Sequence, residues 1–385
     1  RVAALNAGYV TALYRSLREA ADAADARSGE AADDAGQPLH LALLDRLYKA
    51  GFDVTETPGE TPDFYTADLI VHHIAAGRLA AARRLSLTVH YFPVLANLLL
   101  DVRFEPIRPF VTALVAGDMA AASARAVRHA EAEATRNPTV PLAVLRLVEE
   151  RLRTGQPAAA LTRADAALSR FAGDADEGSL FFLENMAVYA LYAQGRSAAA
   201  RERMTRFVDG LSVADHPDAL SQFINFGFIL ADMGRGDAAL ALVRRARRDG
   251  GDDLSAYGEA FVRAVEICAL DQTGERSAAT ERLEWFQAQP DTNPEAQAYA
   301  LACLERTDAL ARLFVTRLAD PDQRGPALRS LSPHLVTGPV DGALFSRVDA
   351  ALGALRNRPD VRAAVRTAGR LSTEPMPLAF ISILE

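Results

Sequence analysis

INFGFILADMGRGDAALALVRRA, residues 224–246, reads as an apolar helix, a turn at Gly234, and a more polar second helix opened by Ala238 and Ala239. The same arrangement recurs along the chain. Gly77, Gly117, Gly155, Gly195, Gly234 and Gly274 stand 40, 38, 40, 39 and 40 residues apart. Each is followed at its fourth and fifth positions by alanines: Ala81-Ala82, Ala121-Ala122, Ala159-Ala160, Ala199-Ala200, Ala238-Ala239 and Ala278-Ala279. A fixed period in this range marks stacked helical hairpins. The glycine relieves the steric cost of a left-handed residue at the end of the first helix. The alanines let the second helix lie close against the first. One such hairpin cannot bury its own apolar face, so neighbours must stack on it.

The links between units are turn chemistry: Asn137-Pro138, Asp174 to Gly178, Asp215 to Asp218, Gly250 to Asp253, and Pro290 to Glu295. Residues 1 to about 26 read as a helix, RSGEAADDAGQP (27–38) as a mobile linker, and about 39–50 as a helix stopped by Gly51. TETPGETP (55–62) is a second breaker cluster. After Gly274 the register fades. LERTDALARLF (304–314) reads as the second half of a degenerate unit without its glycine. PMPLAFISIL (375–384) is an apolar end, read as a cap on the last exposed face. No strand-period segment matches the helical ones in strength.

These units resemble the tetratricopeptide (TPR) repeat, in which a turn glycine is followed five residues later by an alanine. The match holds in all six units. The family's next alanine is present as Ala167 and Ala246, and Gly227 and Leu230 also fit. Two features depart from the pattern. The period is near 40 in place of 34, and the small residue seven before the glycine is replaced by Ile70, Phe110, Val148, Val188 and Ile267. HEAT-type repeats are the structural runner-up. RNRPDVRAAVRTAGRL (356–371) resembles a helix that closes TPR regions appended to bacterial signalling proteins, such as winged-helix regulators and adenylate cyclases. The resemblance implies an all-α, right-handed α-solenoid of about six hairpins over 63–318. A helical cap with a mobile loop over 1–62 and a helical cap with an apolar tail over 319–385 flank it.

The chain has 385 residues, half of them hydrophobic, and a net charge of −8. That balance opposes nucleic-acid binding as the main task. Arg83-Arg84 and the arginines at 244, 245, 247 and 248 read as a solvated face. No apolar run is long enough to span a membrane, so no direct membrane insertion is expected. Cys268 and Cys303 form no CxxC and read as two buried small hydrophobes, with a disulfide as the alternative. The compartment is not fixed by these features; a soluble, cytoplasmic setting is favoured over a periplasmic one. The chain begins at Arg1, so a leader, anchor or upstream domain is an open expectation.

Among the seven histidines none forms HExxH, and His72 and His73 point about 100° apart on a helix. Asp33-Asp34 and Asp252-Asp253 read as solvated loop residues. No catalytic motif, metal site or cofactor is expected. Residues 178–194 carry a core stripe, Leu180, Leu183, Ala187 and Leu191, and a second stripe, Phe182, Asn185, Tyr189 and Tyr192. In TPR proteins the concave groove is lined by the first helices. The resemblance places Phe182, Asn185, Tyr189, Tyr192, Ile224 and Phe228 there, with Phe261 beyond, as a partly accessible row. The alternative is that these side chains fill contacts between units. The expected function is a non-enzymatic protein–protein interaction or sensor module holding a peptide or helix. The alternatives are a small apolar ligand-sensing domain of a bacterial signalling protein, or an oligomerisation scaffold. The expected partner is a protein or peptide, and a homo-oligomer is an open possibility.

Overall fold

The computed structural model describes residues 39–49, 63–173, 177–213, 215–251, 254–289, 293–337 and 342–379, and they are almost wholly α-helical. The expected helix over 1–26, the linker 27–38, the stop at Gly51, the breakers 55–62 and the acidic pairs 33–34 and 252–253 lie outside them. So does the tail beyond residue 379.

In chain order the first helices are α1 (Leu39–Lys49), α2 (Asp63–Ala75), α3 (Leu79–Ser86), α4 (Phe92–Leu100), α5 (Arg108–Leu114) and α6 (Met119–Arg136). Next come α7 (Pro141–Arg153), α8 (Pro157–Arg170), α9 (Glu177–Ala193), α10 (Ser197–Asp209), α11 (Leu220–Asp232) and α12 (Gly236–Gly250). Then follow α13 (Ala256–Gln272), α14 (Arg276–Ala288), α15 (Pro294–Cys303), α16 (Thr307–Ala319) and α17 (Pro321–Leu331). The strand β1 (His334–Thr337), α18 (Ala343–Arg356), α19 (Pro359–Ala368) and β2 (Met376–Ala379) complete the order. The strands pair in parallel, His334 opposite Met376, a feature that the apolar reading of the tail did not anticipate.

Every turn glycine of the repeat lies between two helices, with φ between 69° at Gly234 and 90° at Gly117. Nothing lies within 4 Å of where a Cβ would stand at Gly234, so its backbone conformation, not crowding, selects glycine there. The following amide reaches back five residues, as Arg235 N–H does to the Leu230 carbonyl at 2.8 Å, which satisfies the helix end. The second hairpin is shifted by one. There Gly117 N–H bonds the Thr112 carbonyl, and Ala116, at φ 53°, is left-handed together with Gly117. Asp118 then caps α6 through the Ala121 amide. The degenerate unit turns at Glu305, φ 58°, with Arg306 N–H on the Leu301 carbonyl at 2.9 Å.

The second alanine of each pair is buried: Ala82, Ala122, Ala160, Ala200, Ala239 and Ala279 are all fully inaccessible. The first is not. Ala238 is exposed and the other five are half-buried. Consecutive residues on a helix point about 100° apart, so only one of the two can face the partner helix. Neighbouring hairpins pack through their first helices, α7 on α9, α9 on α11, α11 on α13 and α13 on α15. Packing is close at Gly227 of α11, where a Cβ would stand 2.7 Å from Val243 Cγ1 and 3.2 Å from Val265 Cγ1.

After α16 the chain turns back. α17 lies on α4, where a Cβ at Gly325 would stand 2.6 Å from Asn97 Cγ, and Arg329 donates to Asn97 Oδ1. Arg370 donates its amide to the Leu100 carbonyl at 3.0 Å and its Nε to the Leu99 carbonyl at 3.1 Å. One core therefore joins Leu69, Leu95 and Phe104 to Leu328, Leu344 and Met376, while a second joins α7 through α12.

Candidate functional site

The first helices α9, α11 and α13 carry the residues placed in the groove by sequence. Phe182 keeps 38 % of its surface exposed on α9. Phe228, on α11, is half-buried. The other four are buried, so the expectation of one accessible row does not hold for them. Asn185 and Tyr189 are almost wholly inaccessible, and Ile224 Cδ1 stands 3.6 Å from where a Cβ would be at Gly258 of α13. Tyr192 is buried as well, and its hydroxyl finds an acceptor there in Asp232 Oδ2 at 2.8 Å. Helix α9 packs against α7 and α8 on one side and α10 and α11 on the other, which leaves little of this stripe to solvent.

A different aromatic row is present. Tyr257 opens α13 with 60 % of its surface exposed. Its ring lies 4.9 Å from Phe261, which lies 5.9 Å from Phe228, which lies 4.8 Å from Tyr299 of α15. These distances suit tilted and edge-on ring contacts. Phe261 and Phe228 were in the sequence reading; Tyr257 and Tyr299 were not. Tyr257 stands four residues before Phe261, the spacing of side chains on one helical face, and that signal could have found it.

The turn-side ends of the same helices hold polar groups. Asp232 ends α11 and accepts from Tyr192 and, at 2.6 Å, from the Phe345 amide. Burial pushes its carboxyl above the usual range, against the pull of those hydrogen bonds. Asp271 of α13 binds Arg347 at 2.5 Å and Arg276 at 3.2 Å. Cys303 ends α15, and its carbonyl accepts from Arg347 at 2.8 Å. The sulfurs of Cys268 and Cys303 are bonded, a correction to the reading of two separate apolar thiols. They face each other across adjacent first helices with Cα atoms 5.2 Å apart, within reach of a disulfide.

The arginines of α12 are also more engaged than a solvated face requires. Arg247 binds Glu266 at 2.7 Å and Glu259 at 3.1 Å on α13, and Arg245 donates to the Val208 carbonyl at 2.9 Å. At the other end of the molecule, His72 and His73 both face Arg78, whose Nε donates to His73 Nδ1 at 2.8 Å. His90 and His129 stack at 3.8 Å between ring centroids. Burial, helped by His129 and Arg125, pushes His90 down to about 3, and burial lowers His129. Asp63 accepts the His90 and Tyr91 amides, and burial holds its carboxyl above the ordinary value.

Among the described residues no three His, Cys, Asp or Glu side chains gather in a way that could hold a metal ion. Among them, too, no single helix is long and apolar enough to cross a membrane; one bent pair, Val102–Leu114 with Met119–Arg136, passes on length and composition and meets at 73°. No family model matches the chain, and comparison with curated proteins found no match.

Proposed function

We propose that the chain is a TPR-like α-solenoid that holds a peptide or helical segment of another protein against its first helices, without chemistry of its own. The observation that carries this reading is the pair of accessible rings, Phe182 and Tyr257, on first helices two hairpins apart, with Phe261 and Phe228 partly open beside Tyr257. Accessible aromatic rings on a rigid helical surface are favourable anchors for a partner. The repeat supplies that rigidity, because each first helix is held by its hairpin mate and by two neighbours.

The test is binding of the full chain to an arrayed library of peptides, with wild type, Phe182→Ala and Tyr257→Ala compared at equal helicity. Saturable binding that weakens about 5- to 30-fold in a variant supports the reading, the range expected for an anchor worth about 1–2 kcal/mol. Peptides that bind all three chains equally, or no saturable binding, overturn it. Small-angle scattering gives a separate check on the solenoid shape.

A further inference from the structure

We propose that the turn-side ends of α11, α13 and α15 form a docking site for an amphipathic helix, which the protein's own α18 occupies, so that a partner helix must displace it. The proposal rests on the reading of the chain as a peptide- or helix-binding module, and it names the kind of partner: a helix with the pattern of residues 342–356.

Three acceptors on three successive first helices hold the first turns of α18, and at its other end Arg356 donates to the Leu331 and Ser332 carbonyls at 2.9 and 3.2 Å. Asp232 of α11 accepts the Phe345 amide at 2.6 Å. That amide belongs to the first turn of α18, where helices leave N–H groups unpaired and favour a negative charge. α18 has no side-chain cap of its own: Gly342 stands at its N-cap, and a Cβ there would collide with the Asp232 carboxylate. Asp271 of α13 and the Cys303 carbonyl of α15 then share one guanidinium group, Arg347, at 2.5 and 2.8 Å. The helix cap is thus supplied from another helix of the same chain, by a residue 113 positions away.

The apolar side of α18 fits the same description. Leu344, Phe345, Val348, Leu352 and Leu355 are buried, while Ala343, Ser346, Ala350 and Ala354 are exposed. Anchors separated by three or four residues along one face are how a helix lies in a groove. A helix embedded in a core on all sides would lack the exposed face. The site reads four features together: a small residue at the N-cap, two apolar residues after it, an arginine at the fifth residue of the helix, and an apolar stripe beyond.

The test uses the full chain and a fluorescein-labelled peptide of residues 342–357. Arg347→Ala weakens the hold on α18 at a side chain that is one-third exposed, and Phe345→Ala with Arg347→Ala weakens it further. Hydrogen exchange within 343–356 is expected to rise at least tenfold in the double variant while the exchange of α9 to α13 stays put. The peptide is expected to bind the double variant at least tenfold more tightly than wild type, and Asp232→Ala added to that variant is expected to cut the gain at least fivefold. If no variant binds the peptide better than wild type, the proposal is overturned. If even Arg347→Ala speeds exchange across the whole chain, α18 is an inseparable part of the core and the proposal is overturned equally. Binding of 342–357 with no effect of Phe182→Ala or Tyr257→Ala on any peptide would sink the aromatic anchors of the preceding reading and leave this site standing.

Discussion

Tyr192 donates its phenolic hydrogen to Asp232, one repeat further along the chain, at 2.8 Å. The acceptor is a buried carboxylate whose other oxygen takes the Phe345 amide. Neighbouring units and the returning C-terminal helix are therefore joined at a single side chain.

Tyr192→Phe should cost about 1–2 kcal/mol, because it leaves a buried charge with one donor fewer. The loss should grow with pH. Burial raises the Asp232 carboxyl in the folded state, so the stability it contributes is present below its unfolded value and is lost as pH rises through the folded one. Removing a donor raises it further. Urea unfolding at pH 5 and pH 7.5 should show the larger deficit at pH 7.5; an equal deficit at both contradicts the assignment.

Ala239→Leu should destabilise by about 1–3 kcal/mol through overpacking, since Ala239 has no accessible surface. Ala238→Leu, one residue earlier and exposed, should change stability by less than about 0.5 kcal/mol. Denaturant midpoints of the two variants separate these outcomes, and a reversed order would place the helix face wrongly.

Ala116→Gly should raise stability by about 0.5–1 kcal/mol. The φ of 53° there strains any side chain, and the relief of about 1–2 kcal/mol exceeds the extra entropy glycine loses on folding. Gly234→Ala, at φ 69°, should do the reverse. Paired denaturation curves decide the sign.

Cys268 and Cys303 should resist alkylation in unfolded, unreduced protein isolated from an oxidising host compartment, as read by mass spectrometry. Reduction should cost about 3–4 kcal/mol for a loop closed over a separation of 35 residues. Free thiols in that preparation would remove the bond from the description.

Acid should loosen the contact of His90 with His129. His90 is pushed down to about 3 by burial and its neighbours, so the stability of keeping it neutral is whole above its unfolded value near 6.5 and is lost as pH falls towards 3. His90→Gln should flatten part of the fall in the urea midpoint between pH 7 and pH 4.5. An unchanged slope would show that the stack does not contribute.

The hairpins were legible because a left-handed turn and a close helix contact each demand one residue type at one position. Gly234 and Ala239 announce both. Ala116 was not legible as the turn residue: Gly117 satisfies the same spacing, and only the hydrogen bond from Gly117 to Thr112 reveals the offset. The aromatic row was half legible. Phe228 and Phe261 follow from the repeat, but Tyr192 was read as accessible because its partner Asp232 belongs to the next unit and does not differ in sequence from a solvated turn acid. The Cys268–Cys303 bond and the return of α17 onto α4 depend on distances between elements that no local pattern encodes.

That return has a consequence for how the protein is made. Asn97 meets Arg329 across 232 residues, and Leu99 meets Arg370 across 271. Helix α4, with Leu95, Leu98 and Leu100 on it, therefore leaves the ribosome long before its cover exists. Until α17 is made, the side of α4 that it covers lacks that partner, and nascent chains stalled between residues 101 and 320 present it to chance association or to a chaperone.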